Sequence, residues 1–218
     1  INMKNKQFTK RFISTIILLP IIIYIIVKGS VLFSLFLAIC LVLTFYEWYF
    51  LSIKKKYNFL GYIYLIFSFL SAYKIRYINE EDYFYFLFII LICISTDLGG
   101  YIFGKFLKGP KLTKFSPNKT ISGLIGSYIF SIFVSLIFLI NYEQSNLYAS
   151  DLKVIFVILL ISTVSQVGDI IISVFKRIKK VKDTGKIIPG HGGILDRIDG
   201  MIFVFPFSYI LFLLGVFK

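Results

Sequence analysis

Cysteine and histidine are scarce in this chain, with two cysteines and one histidine among 218 residues. Cys40 and Cys93 each fall inside an apolar run, so they build neither a disulfide framework nor a metal cluster. Charged residues make up only 16% of the chain, and its 11 Asp and Glu are outnumbered by 24 Lys and Arg. Internal repeats, heptad runs and low-complexity tracts are absent. What fills the chain instead is apolar: 58% hydrophobic residues, 19% aromatic residues and a mean hydropathy of +0.85. Such values lie outside the range of soluble domains and leave no room for a separate soluble unit.

Measured against a bilayer span of ~20 residues, the apolar runs give seven candidates: 12–27, 31–51, 59–73, 83–103, 121–140, 152–172 and 198–217. The expectation is an all-α, polytopic transmembrane helical bundle of about seven spans, forming a single integral-membrane domain. With the N-terminus in the cytoplasm, the inner segments are 1–11, 52–58, 104–120 and 173–200. They hold 4, 3, 5 and 7 basic residues, 19 of the 24 in all. The outer segments hold Lys28, Lys74, Arg76, Lys153 and Lys218, together with five acids. That asymmetry is the positive-inside bias of short loops, and it places 173–199 on the cytoplasmic side. Lys54, Lys55 and Lys56 read as helix-end anchors for anionic lipid. Nucleic acid is excluded as a partner, because the basic loops are short and embedded between spans. Lys and Arg ahead of the first apolar run mimic a signal peptide. No small-residue cleavage site follows, which predicts a retained first helix.

Acids inside a span are costly, about 2.5–3.5 kcal/mol at mid-helix, and mark function by default. Three fall there: Glu47, Asp97 and Asp169. Glu47, in FYEWYF, lies a turn from the cytoplasmic end and is expected to snorkel beside Trp48 and Tyr49. Asp169 lies on a polar stripe with Ser162, Ser165, Gln166 and Ser173, spaced by threes and fours. The serines suit interhelical hydrogen bonding, while Asp169 is close enough to the basic loop to serve it. Asp97, in STDLGGYIFGK, shares a small-residue face with Gly100 and Gly104. That face fits either close helix packing or the approach of a ligand.

Two inner loops have the chemistry of a phosphate cradle. Residues 104–123, GKFLKGPKLTKFSPNKTISG, carry five lysines and no acid. Asn118, Lys119 and Thr120 stand there at the start of a helix, where unpaired amides favour anions. The other loop, 173–199, holds seven cations, three aspartates, the sole histidine and the GHGG turn. Lys176, Arg177, Lys179, Lys180, Lys182 and Lys186 lead into it. Asp196 and Asp199 then follow three apart, expected on one face of the last helix and flanking Arg197. Carboxylates of this kind suit Mg²⁺, which binds through one or two acids and substrate phosphates. Asp169 is a third acid for the same ion. Asp183 either shares this work or pairs with Lys182. His191, between glycines in a loop, is expected to donate to phosphate or carry a proton, or to stabilise the turn.

Written out, the loop is Ser173-x-Phe175-Lys176-Arg177-x4-Lys182-Asp183-x-Gly185-x2-Ile188-Pro189-x-His191-Gly192-Gly193-Ile194-x-Asp196-Arg197-Ile198-Asp199. It resembles the signature of the phosphatidate cytidylyltransferase family, with every fixed position filled. The Asp97-led segment resembles the family's D-x-x-A-Y-x-x-G, and SPNKT resembles its SPKKT. The resemblance covers roughly residues 90–217 of the sequence, so 91–218 is read as the catalytic part and 1–90 as helices of unclear role. Two positions depart from the pattern: Ser122 replaces the glutamate of KTxEG, and Ile172 replaces the glutamate of GDxxES.

The resemblance implies transfer of a cytidylyl group from CTP to phosphatidic acid, giving CDP-diacylglycerol and pyrophosphate. It implies Mg²⁺ as cofactor, with a second cation left open, and a homodimer in a bacterial inner membrane whose site faces the cytoplasm. Asp169 and Asp196 are implied as metal ligands, with Asp199 beside them. Lys176, Arg177, Lys182, Arg197, Asn118 and Lys119 are implied as phosphate binders. His191, Gly192 and Gly193 then shape the nucleotide loop, with Asp97 and Asp183 on the substrate side. The alternatives are a CTP-dependent enzyme for an ether or isoprenoid lipid phosphate, and a transporter running cations past Asp97 and Asp169. The outer loops carry no motif that a transport path would need.

Overall fold

A computed structural model describes residues 16, 18–53, 55–78, 83–113, 116, 119–142, 151–188 and 192–217 of the chain. Asn118 and His191 lie outside the described residues. Those residues are all-α apart from isolated bridges and turns. The helices are α1 (Leu18–Lys28), α2 (Ser30–Ser52), α3 (Asn58–Arg76), α4 (Phe84–Leu107), α5 (Ile121–Ile140), α6 (Leu152–Ile178), α7 (Leu195–Ile198) and α8 (Met201–Leu213). Helices α2 to α6 are long and apolar enough to cross a membrane, while α1 and α8 are apolar but shorter.

Among the described residues, then, five membrane-length helices and two shorter ones stand where seven spans were expected. The last run is shortened by its sequence. Asp199 and Gly200 form a turn between α7 and α8 rather than continuing one helix. Thirteen residues of α8 rise only ~20 Å, against a hydrocarbon core of ~30 Å. The expectation that Asp196 and Asp199 share one helix face is corrected accordingly: Asp196 is in α7 and Asp199 is in the turn.

The chain divides into two compact units. One comprises Ile1–Tyr73 with Phe175–Ile198, and the other Lys74–Val174 with Asp199–Lys218. In the first, α2 packs against α7, and Phe33, Trp48, Leu51 and Leu195 are buried. Trp48 organises the C-terminal end of α2. Its ring meets Phe175 edge-on at 5.1 Å, and its indole N–H donates to the Asn58 carbonyl (3.1 Å). Gly61 of α3 is required by this contact, since a Cβ there would stand 2.1 Å from the indole.

In the second unit, α4 and α5 cross backbone to backbone. A Cβ on Gly99 would lie 2.7 Å from the Gly126 carbonyl oxygen, and one on Gly123 would lie 2.8 Å from that of Gly100. Of the two readings of the Asp97 segment's glycines, helix packing is the one the structure bears out. The stripe on α6 also serves packing. Thr96 donates to Ser162 (2.9 Å), and Gln166 Nε2 reaches the same hydroxyl at 3.5 Å. Gly168 and Gly200 let α6 and the start of α8 touch. Added Cβ atoms would meet Phe203 at 2.6 Å and Ser165 Oγ at 2.5 Å, respectively.

Candidate active site

The signature loop folds around Asp196. The side-chain amine of Lys176, at the end of α6, donates to Asp196 Oδ1 at 2.9 Å. Oδ2 receives the Thr184 N–H at 2.7 Å and the Gly193 N–H at 3.1 Å, and the Thr184 hydroxyl stands 3.0 Å away. The Lys176 and Asp196 side chains are only 10% and 4% exposed. A low-dielectric setting strengthens such a charge-assisted pair and makes loss of either member expensive. The carboxylate therefore has a fixed orientation.

The glycine turn has a steric origin. Gly192 has φ +89°, in the left-handed region that side chains disfavour, and a Cβ there would approach Asp196 Oδ2 to 2.9 Å. The Gly192 carbonyl accepts from the Ile188 N–H at 2.9 Å, which closes the turn. Asp183 lies alongside, its Cβ 3.3 Å from where a Gly192 side chain would begin. Around this centre Arg177, Lys180, Lys182, Lys186 and Arg197 are exposed. Arg177 also closes the end of α6 by donating to the Val181 carbonyl (3.2 Å).

Glu47 departs from its expected place at the interface. It is 1% exposed, and its carboxylate accepts the Ile194 N–H on Oε1 (2.9 Å) and the Leu195 N–H on Oε2 (2.8 Å). The Thr184 hydroxyl stands 2.8 Å from the same Oε2. Snorkelling fails because α7's first amides need an acceptor, and Glu47 is the acceptor that meets them. Neither Glu47 nor Thr184 was expected from the sequence as part of this loop's architecture. One local signal was available: Leu43, Thr44, Phe50 and Leu51 surround Glu47 on its own helix, so no cation sits at helical spacing to pair with it.

In the second unit, Lys119 pairs with Asp169 at 2.5 Å, both side chains 24% exposed. Asp169 Oδ1 also accepts from Ser173 (3.3 Å). Thr120 caps α5 by accepting the Gly123 N–H (3.1 Å). Ser122, in the position of the missing glutamate, donates to the Lys108 carbonyl. The loop ahead of α5 is pinned by the Leu112 N–H on the Lys119 carbonyl (2.8 Å) and the Ile121 N–H on that of Pro110 (3.1 Å). Asp97 is exposed on α4, and Asp199 accepts the Gly200 N–H (2.9 Å). Lys176, Asp196, Gly193 and Asp183 are thus brought together in the first unit, and Lys119 with Asp169 in the second. No cluster of three or more His, Cys, Asp and Glu side chains of metal-binding geometry occurs among the described residues.

Fold and site define an integral membrane protein whose helices carry a carboxylate fixed by main-chain donors beside a cationic loop. The chain belongs to the cytidylyltransferase family, whose model matches residues 58–214. It is 39% identical over 166 residues to a phosphatidate cytidylyltransferase of Staphylococcus saprophyticus, an alignment covering 72% of this chain and 62% of that relative. To the protein of that name from Bacillus subtilis it is 37% identical over 160 residues, 73% of this chain and 58% of the relative. To that of Staphylococcus haemolyticus it is 45% identical over 128 residues, 58% and 48% of the two chains. The chain therefore spans less than two thirds of the length of these relatives.

Proposed function

We propose that this chain transfers the cytidylyl group of CTP to phosphatidic acid, forming CDP-diacylglycerol and releasing pyrophosphate. The observation that carries this reading is the Asp196 centre, where the signature's acid, glycines and lysine converge with exposed cations around them. The relatives' names point to the same substrate.

The chemistry needs little more than positioning. An oxygen of the lipid phosphate attacks the α-phosphorus of CTP in line. The bond from that phosphorus to the bridging oxygen breaks, and pyrophosphate leaves with the electron pair. The attacking oxygen is already ionised, so no strong general base is needed. Two polyanions must instead be brought into contact, and cations that offset their repulsion supply much of the rate. In this reading Arg177, Lys182 and Arg197 screen the phosphates from the signature loop. Lys176 orients Asp196, and Gly192 and Gly193 shape the loop that meets the nucleotide. Lys119 and Asn118 serve phosphate from the SPNKT loop, His191 shapes the nucleotide loop, and Asp97 and Asp183 are substrate-binding residues.

Mg²⁺ is proposed as cofactor, with Asp196 in the first unit and Asp169 and Asp199 in the second as the carboxylates offered to it, since the three do not form one cluster. Hard carboxylate oxygens are the right donors, and Mg²⁺ is satisfied by one or two of them alongside phosphate oxygens. When bound it neutralises phosphate charge in the transition state. The proposal includes an N-terminus and site on the cytoplasmic face of a bacterial inner membrane, and a homodimer. Cytosolic CTP and a phosphate at the leaflet surface can meet there.

Protein purified in detergent and given Mg²⁺, CTP and phosphatidic acid is expected to form a liponucleotide, and to lose that activity with EDTA. Ether-lipid phosphates assayed in place of phosphatidic acid separate the nearest alternative substrate. Turnover equal with and without a divalent ion would remove the metal from this account.

A further inference from the structure

We infer that Glu47, on the N-terminal helix α2, is a positioning residue for Asp196. The inference rests on the functional reading above and adds to it a residue that lies before the family-matched range 58–214. Consecutive main-chain amides of the signature turn are shared between the two acids. The Gly193 N–H goes to Asp196, and the next two, of Ile194 and Leu195, go to Glu47. Thr184 joins them, its hydroxyl 2.8 Å from Glu47 Oε2 and 3.0 Å from Asp196 Oδ2. That hydroxyl carries one proton and serves one carboxylate at a time, so it sets the spacing between them.

Two main-chain amides, one on each oxygen, call for a carboxylate. An amide offers one acceptor oxygen and turns an NH₂ toward the other donor. A carboxylate this deeply buried is costly to keep, and structural filling would be met more cheaply by an apolar side chain. The loop is also shaped to admit it. A Cβ on Gly193 would stand 2.2 Å from Thr184 Oγ1 and 2.4 Å from Glu47 Oε2, and one on Gly185 would stand 2.7 Å from Oε1. Gly185 is therefore small because Glu47 occupies the space, and Gly193 because Thr184 and Glu47 do. Removing the carboxylate frees the Ile194 and Leu195 amides, and with them the turn that aims the Gly193 N–H and Asp196.

The test compares unsubstituted protein with Glu47→Gln in two assays, each normalised to protein that elutes as a folded species. In the CTP and phosphatidic acid assay, kcat is expected to fall about 10²-fold, the usual effect of misplacing a catalytic group, with KM for CTP nearly unchanged. In limited proteolysis of the folded protein, trypsin should cut after Lys182 and Lys186 faster in the variant, with cleavage elsewhere unaltered. Unchanged kcat and unchanged loop cleavage overturn the inference, as does slower turnover with cleavage accelerated throughout the molecule. Should Glu47→Gln not accumulate, Thr184→Val reads the same arrangement. It is expected to lose about tenfold in kcat, the equivalent of one hydrogen bond, and an undiminished kcat overturns the claim. If the unsubstituted protein makes no liponucleotide, the functional reading fails, and the trypsin comparison still decides the role of Glu47.

Discussion

Asp196→Asn is expected to lower kcat by about 10²–10³-fold, the cost of removing one fixed electrostatic group from a transition state. The substitution is nearly isosteric, so the loss comes from charge and hydrogen-bond polarity. Asp196 accepts on both oxygens, from Lys176 on one side and from Thr184 and Gly193 on the other. An asparagine must turn its NH₂ toward one of these sets and face a donor with a donor. It also leaves the Lys176 ammonium, which is nearly buried, without its counter-charge. Turnover per folded protein is the measurement, with membrane expression as the control. A variant that keeps more than a tenth of the activity would show that Asp196 is not at the centre of the chemistry.

Asp169→Asn and Lys119→Met should each reduce kcat by about 10²-fold, and the double substitution should be little worse than the weaker single variant, as for groups acting as a unit. The ion pair between them motivates this. Lys119 comes from the SPNKT loop, which is tied by main-chain hydrogen bonds ahead of the Thr120 cap. Asp169 comes from the polar face of α6, where Ser173 supports it. Both side chains retain some exposure, so the loss of stability is smaller than for a fully buried pair, and kcat carries the signal. Effects of the two substitutions that multiply would mean that Lys119 and Asp169 serve separate steps.

The sequence was legible wherever a signal is local. Apolar runs at 31–51, 59–73, 83–103, 121–140 and 152–172 correspond to α2 through α6, because burying backbone polar groups in lipid enforces helices. The signature loop was legible too. Its acids, cations and GHGG turn marked it out, and Asp196 with Lys176 is at its centre. What escaped is non-local. Glu47 meets Thr184 across 137 positions of sequence, and no periodicity reports such a contact. A carboxylate near a helix end among Trp48 and Tyr49 looks interfacial until the amides of α7 supply a reason to bury it. The close approach of Gly200 to Ser165 was hidden in the same way, being a contact between distant positions. Small-residue faces remained ambiguous for a related cause: whether a glycine admits a helix or a ligand is decided by the neighbour. At Gly99, Gly100, Gly123 and Gly126 that neighbour is the crossing of α4 with α5.

The most direct test of the whole account uses CTP labelled separately at its α- and γ-phosphates, supplied with phosphatidic acid and Mg²⁺. Transfer of a cytidylyl group predicts α-label in the lipid fraction, γ-label released as pyrophosphate, and neither change when phosphatidic acid is omitted. Gamma-label in the lipid, or release of label independent of phosphatidic acid, would contradict it.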